Sequence, residues 1–123
     1  MIHHKKLIKS FAYAWQGIKF AFKNDQNLRV HLIAAMLVII LSLLFDVSHF
    51  EMGILGIMIL LVISAEMVNT AIEQMVDLIT KEHREEAKIA KDVSAGMVLL
   101  TAIGSVIVGI LIFAPHILKF VKL

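Results

Sequence analysis

Four polar residues, Glu66, Asn69, Glu73 and Asp77, stand at i, i+3, i+7 and i+11. On a helix turning about 100° per residue they share one narrow arc. Met67, Val68, Ile72, Met75 and Val76 cover the rest of that helix. The set follows Met52 to Ala65, an apolar run with no charge. Acids at membrane depth are costly, so they face protein or water and are functional candidates. Carboxylates are hard oxygen ligands, and Mg²⁺ takes one or two of them beside phosphate oxygens and water. Asp25 precedes the first long apolar run, and Lys91 and Asp92 precede the third at a similar depth. A lysine there can offset phosphate charge. Phosphoryl transfer needs a metal, a cation and a base for the alcohol's proton. Glu66 lies two turns deeper than Glu73, about 10 Å along the axis. That separates a carboxylate for a lipid hydroxyl from one for a metal-bound nucleotide. Proton-coupled transport and polar glue between helices use the same residue types. Spacing alone leaves catalysis, transport and glue open.

The elements that carry these residues read as helices. Of the 123 residues, 59% are hydrophobic, and the mean hydropathy is +0.86. Soluble domains are about half apolar. One Pro and six Gly leave little turn material for a sheet. The expected fold class is an all-α integral membrane protein, one domain over 1–123. Without cysteine there is neither a disulfide framework nor a thiolate metal site. No cleavable signal is visible, because lysines interrupt Met1 to Asn24. The formal charge of +2 is modest, and no nucleic-acid partner is expected.

Residues 5–24 predict an amphipathic surface helix. Leu7, Ile8, Phe11, Trp15, Ile18 and Phe22 share one face, and Lys5, Lys9, Lys19 and Lys23 form a separate stripe. Such a helix suits the interface beside anionic head groups; packing on the rest of the protein is the alternative. A polar cluster from Asn24 to His31 follows, with Asn24 or Asp25 as a candidate N-cap. Three membrane helices are expected at 30–47, 52–79 and 93–114, the last ended by Pro115. Ten of the twelve Lys and Arg lie before the first span or between the second and third. Positive charge marks the cytoplasmic side, so the N-terminus and the second loop are expected in the cytoplasm. The acidic seam then faces ATP and Mg²⁺.

Familiar motifs are absent. Gly104 to Gly109 has P-loop glycine spacing but continues into Ile110 and Leu111 where Lys and Ser or Thr are required. By spacing, Glu82, Arg84, Glu85 and Lys88 read as a solvated face of i, i+3 or i, i+4 pairs.

The segment Glu66-Met-Val-Asn69-Thr70-Ala71-Ile72-Glu73-x-x-Val76-Asp77 resembles the signature of the prokaryotic diacylglycerol kinase family. Ala87-Lys88-x-Ala90-Lys91-Asp92-x-x-Ala95-Gly96-x-Val98 continues it, as do Gly17, Ala21, Asn24 and Asn27-x-Arg29-x-His31. Arg29-x-His31 and Lys91-Asp92-x-x-Ala95-Gly96 look more like the Gram-positive branch, whose members phosphorylate undecaprenol. The resemblance implies a homotrimer in the bacterial cytoplasmic membrane, with sites between subunits and Mg²⁺-ATP as donor. It implies Glu66 as general base on the lipid alcohol and Asn69 beside it. Asn27 and Arg29 would lie at the lipid substrate. Asp25 and Glu73 would hold Mg²⁺, and Lys91 and Asp92 would contact ATP. Lys6 and Tyr13 match nucleotide-contact positions, and Glu82, His83 and Arg84 a nucleotide-binding loop. Position 25 is Asp where the family usually has Glu, which keeps the ligand chemistry and changes its reach. The expected activity is transfer of the ATP γ-phosphoryl to undecaprenol. Diacylglycerol is the alternative acceptor. From other classes, a small proton-coupled transporter would need acids reachable from both sides, and a non-catalytic subunit has no use for the whole constellation.

Overall fold

The computed structural model describes residues 1–122. Four helices follow one another: α1 (His4–Asn24), α2 (Gln26–Leu44), α3 (His49–Ile79) and α4 (Glu85–Val121). The last three are long and apolar enough to cross a membrane. The chain is an all-helical membrane protein. α3 is central and packs along α4 and against α2, and α1 touches α2 and α3 near its C-terminal end.

At 1.5 Å per residue, α2 is roughly 28 Å long, close to the ~30 Å of a hydrocarbon core. α3 and α4 come to roughly 46 and 55 Å, so both outlast the membrane. The charged stretch before residue 93 is therefore mostly helical, with a loop only over 80–84. Helix α4 begins at Glu85, and Glu85 and Glu86 lie in its first turn, where carboxylates favour the positive end of the helix.

Both ends of the first span and the end of the third differ from the sequence reading for identifiable reasons. Pro115 does not end the third span; it sits inside α4, which runs on to Val121. A proline removes one backbone hydrogen bond, but contacts beyond it hold the helix. His116 Nε2 lies 3.0 Å from Glu51 Oε2. Phe45 packs edge-on against Phe113 and Phe120, at 6.3 and 6.0 Å between ring centroids. The first span also shifts. It begins at Gln26 and stops at Leu44, so Val47 lies beyond it. A Schellman turn closes this helix: Val47 N–H donates to Ser42 O (3.1 Å) and Asp46 N–H to Leu43 O (3.4 Å). Asp46 takes the left-handed conformation that this turn requires, at φ 50°. Ser48 then caps α3 in a reciprocal box with Glu51.

Val47, Leu55 and Ile112 form a small buried core at this end, with Val38, Phe45 and Phe113 against it. Little else is buried: at most 22% of any apolar stretch is covered within the chain. The apolar side of α1 is uncovered too, with Phe11, Trp15 and Phe22 exposed and Ala21 alone buried. That face suits a bilayer interface rather than the protein core.

Candidate active site

Asp25 is the joint on which the site turns. Its N–H donates to Ala21 O at 2.8 Å and closes α1. Its Oδ1 accepts from the N–H groups of Asn27 (2.9 Å) and Leu28 (3.2 Å) and opens α2. A short Asp reaches its own helix in this way, and Asp is among the best N-cap residues. The other oxygen, Oδ2, accepts from Thr70 Oγ1 of α3 at 2.8 Å. Arg29 reinforces the joint by donating Nη1 to Phe22 O and Lys23 O, both at 2.9 Å. Cations at a helix C-terminus are favourable.

One turn before Thr70 lies Glu66, the largest fully buried side chain, 1% exposed. Its charged surroundings include two acids, Asp25 and Glu73. His31 of α2 reaches it, with Nε2 3.3 Å from Glu66 Oε1. Glu66 Oε2 is buried with no hydrogen-bond partner. Orphaned buried polar atoms are rare and ask for an explanation. Here the carboxylate lines a cavity of about 240 Å³ with Asn27, Val30 and His31 of α2 and Ala95 and Leu99 of α4. A hydroxyl entering that cavity would come up against this carboxylate.

Asn69 is buried on the α4 side, and Ser94 Oγ donates to its Oδ1 at 2.6 Å. Further along α3 the seam leaves the bundle. Glu73 is exposed. Asp77 Oδ1 accepts from Lys91 Nζ at 2.6 Å, and Asp92 Oδ2 from Lys88 Nζ at 2.6 Å. A second cavity of about 260 Å³ opens here between the end of α3 and the start of α4. Asp77, Glu82, His83, Arg84, Lys91 and Asp92 line it. Glu82 and Arg84 also pair with each other at 3.3 Å.

The residues singled out in the sequence thus fall into three places. Glu66, Asn69, Asn27, Asp25 and Glu73 gather where α2, α3 and α4 meet. Glu82, His83, Arg84, Lys91 and Asp92 share the outer cavity. Lys6 and Tyr13 stay on α1 apart from both; both are exposed, and Lys6 shares a shallow basic concavity with His3, Lys5 and Lys9. Arg29 is engaged with the end of α1. Three participants had no assigned role in the sequence reading: His31, Thr70 and Ser94. His31 and Thr70 were quoted motif residues and Ser94 fell on an unspecified position, but only the tertiary fold shows which acid or amide each meets.

Among the described residues, no three His, Asp or Glu side chains converge into a ready metal cage. That suits Mg²⁺, which takes few protein ligands and fills its shell with phosphate and water. An ionised carboxylate offers about four acceptor positions. Asp25 uses three of them, and Glu73 forms no ion pair among the described residues. The donor set is hard oxygen and fits such an ion.

Fold and site together describe a membrane protein with buried acid near one end of its bundle and a charged cavity beyond it. A model of the prokaryotic diacylglycerol kinase family matches residues 12–113. A Bacillus subtilis protein named undecaprenol kinase is 42% identical over 110 residues, covering 89% of each chain. A Synechocystis diacylglycerol kinase is 40% identical over 114 residues; the match covers 92% of this chain and 65% of the relative's length. The diacylglycerol kinase of Escherichia coli is 31% identical over 111 residues, 90% of this chain and 91% of its own. The chain belongs to the prokaryotic diacylglycerol kinase family, which places it among kinases that act on membrane lipids with ATP.

Proposed function

We propose that this protein transfers the γ-phosphoryl of ATP to undecaprenol, giving undecaprenyl phosphate and ADP. The observation that carries the reading is the buried Glu66, which has an unpaired carboxylate oxygen and lines a cavity between membrane helices. The similarity to the Bacillus subtilis protein favours a prenol as acceptor. The second reading, diacylglycerol as acceptor, draws on the Synechocystis relative at 40% identity.

Glu66 takes the proton of the lipid hydroxyl, Asn69 orients the groups beside it, and Asn27 lies against the alcohol. Arg29 acts on the lipid site through the joint that it holds. Lys91 exchanges Asp77 for the phosphates of ATP, and Asp92 with Glu82, His83 and Arg84 contacts the nucleotide. Lys6 and Tyr13, apart from this cavity within one chain, would meet the nucleotide from α1 of a neighbouring subunit. Asp25 and Glu73 would hold Mg²⁺, which supplies charge neutralisation at the phosphates when bound. The positive-inside bias supports a cytoplasmic N-terminus and second loop in the bacterial cytoplasmic membrane. The resemblance to the family supports a homotrimer with sites between subunits. Against a transporter stands the position of the acids, which cluster near one end of the bundle, with Lys91 close by.

The deciding experiment compares ATP consumption by purified protein with undecaprenol and with diacylglycerol, side by side. Faster turnover of undecaprenol is the expected result. Preference for diacylglycerol moves the assignment to the second reading, and ATP hydrolysis stimulated by neither lipid removes both.

A further inference from the structure

His31 does something that the acid, amide and lysine set does not. Of the described residues it alone brings a basic group within 4.0 Å of Glu66. The charged neighbours of that carboxylate are otherwise Asp25 and Glu73, both acids. Three carboxylates crowded together repel, and a buried one without a partner is expensive. The imidazole approaches one oxygen, Nε2 to Oε1 at 3.3 Å, while Oε2 is buried without a hydrogen-bond partner. An acid held at one oxygen has its other oxygen aimed.

The imidazole also stands at a junction. It lines the cavity that holds Glu66. It also lines a second, apolar groove of about 240 Å³ that runs along the bundle past Val38, Leu55 and Ser105 to Phe113. The two cavities have no other lining residue in common. A molecule with an apolar chain in the groove and a hydroxyl at Glu66 passes His31.

We infer that His31 is a positioning residue for the general base, holding Glu66 Oε1 so that Oε2 meets the lipid hydroxyl at the mouth of the apolar groove. This rests on the lipid-kinase reading above. During transfer the hydroxyl proton passes to Glu66 Oε2. The lipid oxygen forms its bond to the γ-phosphorus as the bond to the β–γ bridging oxygen breaks, and ADP leaves with that electron pair. His31 gives up no atom; it fixes the acceptor. Contacts of this kind are often long in the free enzyme and tighten when substrate binds.

The test replaces the imidazole in two ways. His31→Phe keeps a ring against the groove but has no N–H. His31→Gln restores an N–H donor without the ring. For H31F, kcat falls about tenfold or more, on the scale that misplacing a reacting group costs. Its KM values for ATP and for lipid stay within about twofold, because neither binding surface is removed. H31Q recovers most of the lost kcat. Thermal unfolding of each purified variant accompanies the kinetics, and H31M replaces H31F should that protein not fold. A wild-type kcat in H31F overturns the inference. So does a raised lipid KM with unchanged kcat, which would make His31 only a wall of the groove. So does an H31Q as slow as H31F. A wild-type protein that phosphorylates no lipid instead defeats the reading beneath, and the two failures are told apart by that control.

Discussion

Thr70 Oγ1 donates a 2.8 Å hydrogen bond to Asp25 Oδ2, joining residues 45 positions apart. It ties the central helix to the single residue that ends α1 and begins α2. The metal-ligand candidate is therefore also a structural joint. Thr70→Val keeps the shape and removes the donor, leaving a carboxylate oxygen unsatisfied. We expect a loss of about 1–3 kcal/mol. Asp25→Glu keeps the charge but is a poorer cap, costing about 1 kcal/mol while activity survives. Denaturant titration in detergent reads both; an unchanged Thr70→Val would show the bond to be idle.

Glu66→Gln keeps size and polarity and removes the base. Turnover should fall roughly 10²- to 10⁴-fold, while ATP still binds. Kinetics beside a nucleotide-binding titration separate the two. Normal turnover would take the role away from Glu66.

Glu73 is the exposed acid nearest the buried one along the seam. Glu73→Ala should raise the Mg²⁺ concentration needed for half-maximal activity by about tenfold or more, or abolish activity. Mg²⁺ titration of the rate is the measurement, and an unchanged midpoint would remove Glu73 as a ligand.

Lys91 and Lys88 form equally short bonds, 2.6 Å each, to different acids. Both line the outer cavity, but only Lys91 bonds across from α4 to α3. Losing a charge-assisted bond costs about 1.5–3 kcal/mol, so Lys91→Met should raise the KM for ATP roughly tenfold or more. Lys88→Met removes an exposed i, i+4 pair and should change it less than about twofold. Equal effects would mean that both lysines merely tune the local charge.

The apolar runs and the acidic seam were legible because their signals are local: period, run length and charge. A cap at Asn24 or Asp25 was legible for the same reason, and the structure puts it at Asp25. Helix ends were less so. Pro115 reads as a stop, yet His116 and the phenylalanines beside it make contacts that outweigh one missing hydrogen bond. Glu85 to Asp92 reads as a charged segment, yet it is the first two turns of a membrane helix. The partners His31, Thr70 and Ser94 depend on which helix faces which, and a single short polar side chain carries no mark of that. Arg29 was legible as a member of a motif, but its bonds to the end of α1 follow from a bend at Asp25 that spacing does not encode.

Helices α3 and α4 are long enough to continue beyond the membrane, and the charged cavity is built on their ends and on the 80–84 connection between them. The phosphate donor would thus be met at an elevation set by two helix ends that hold a five-residue connection between them. The acceptor must rise to that level. A lipid whose hydroxyl floats too low in the bilayer would be passed over even where its chemistry is identical, so bilayer thickness becomes a control on rate.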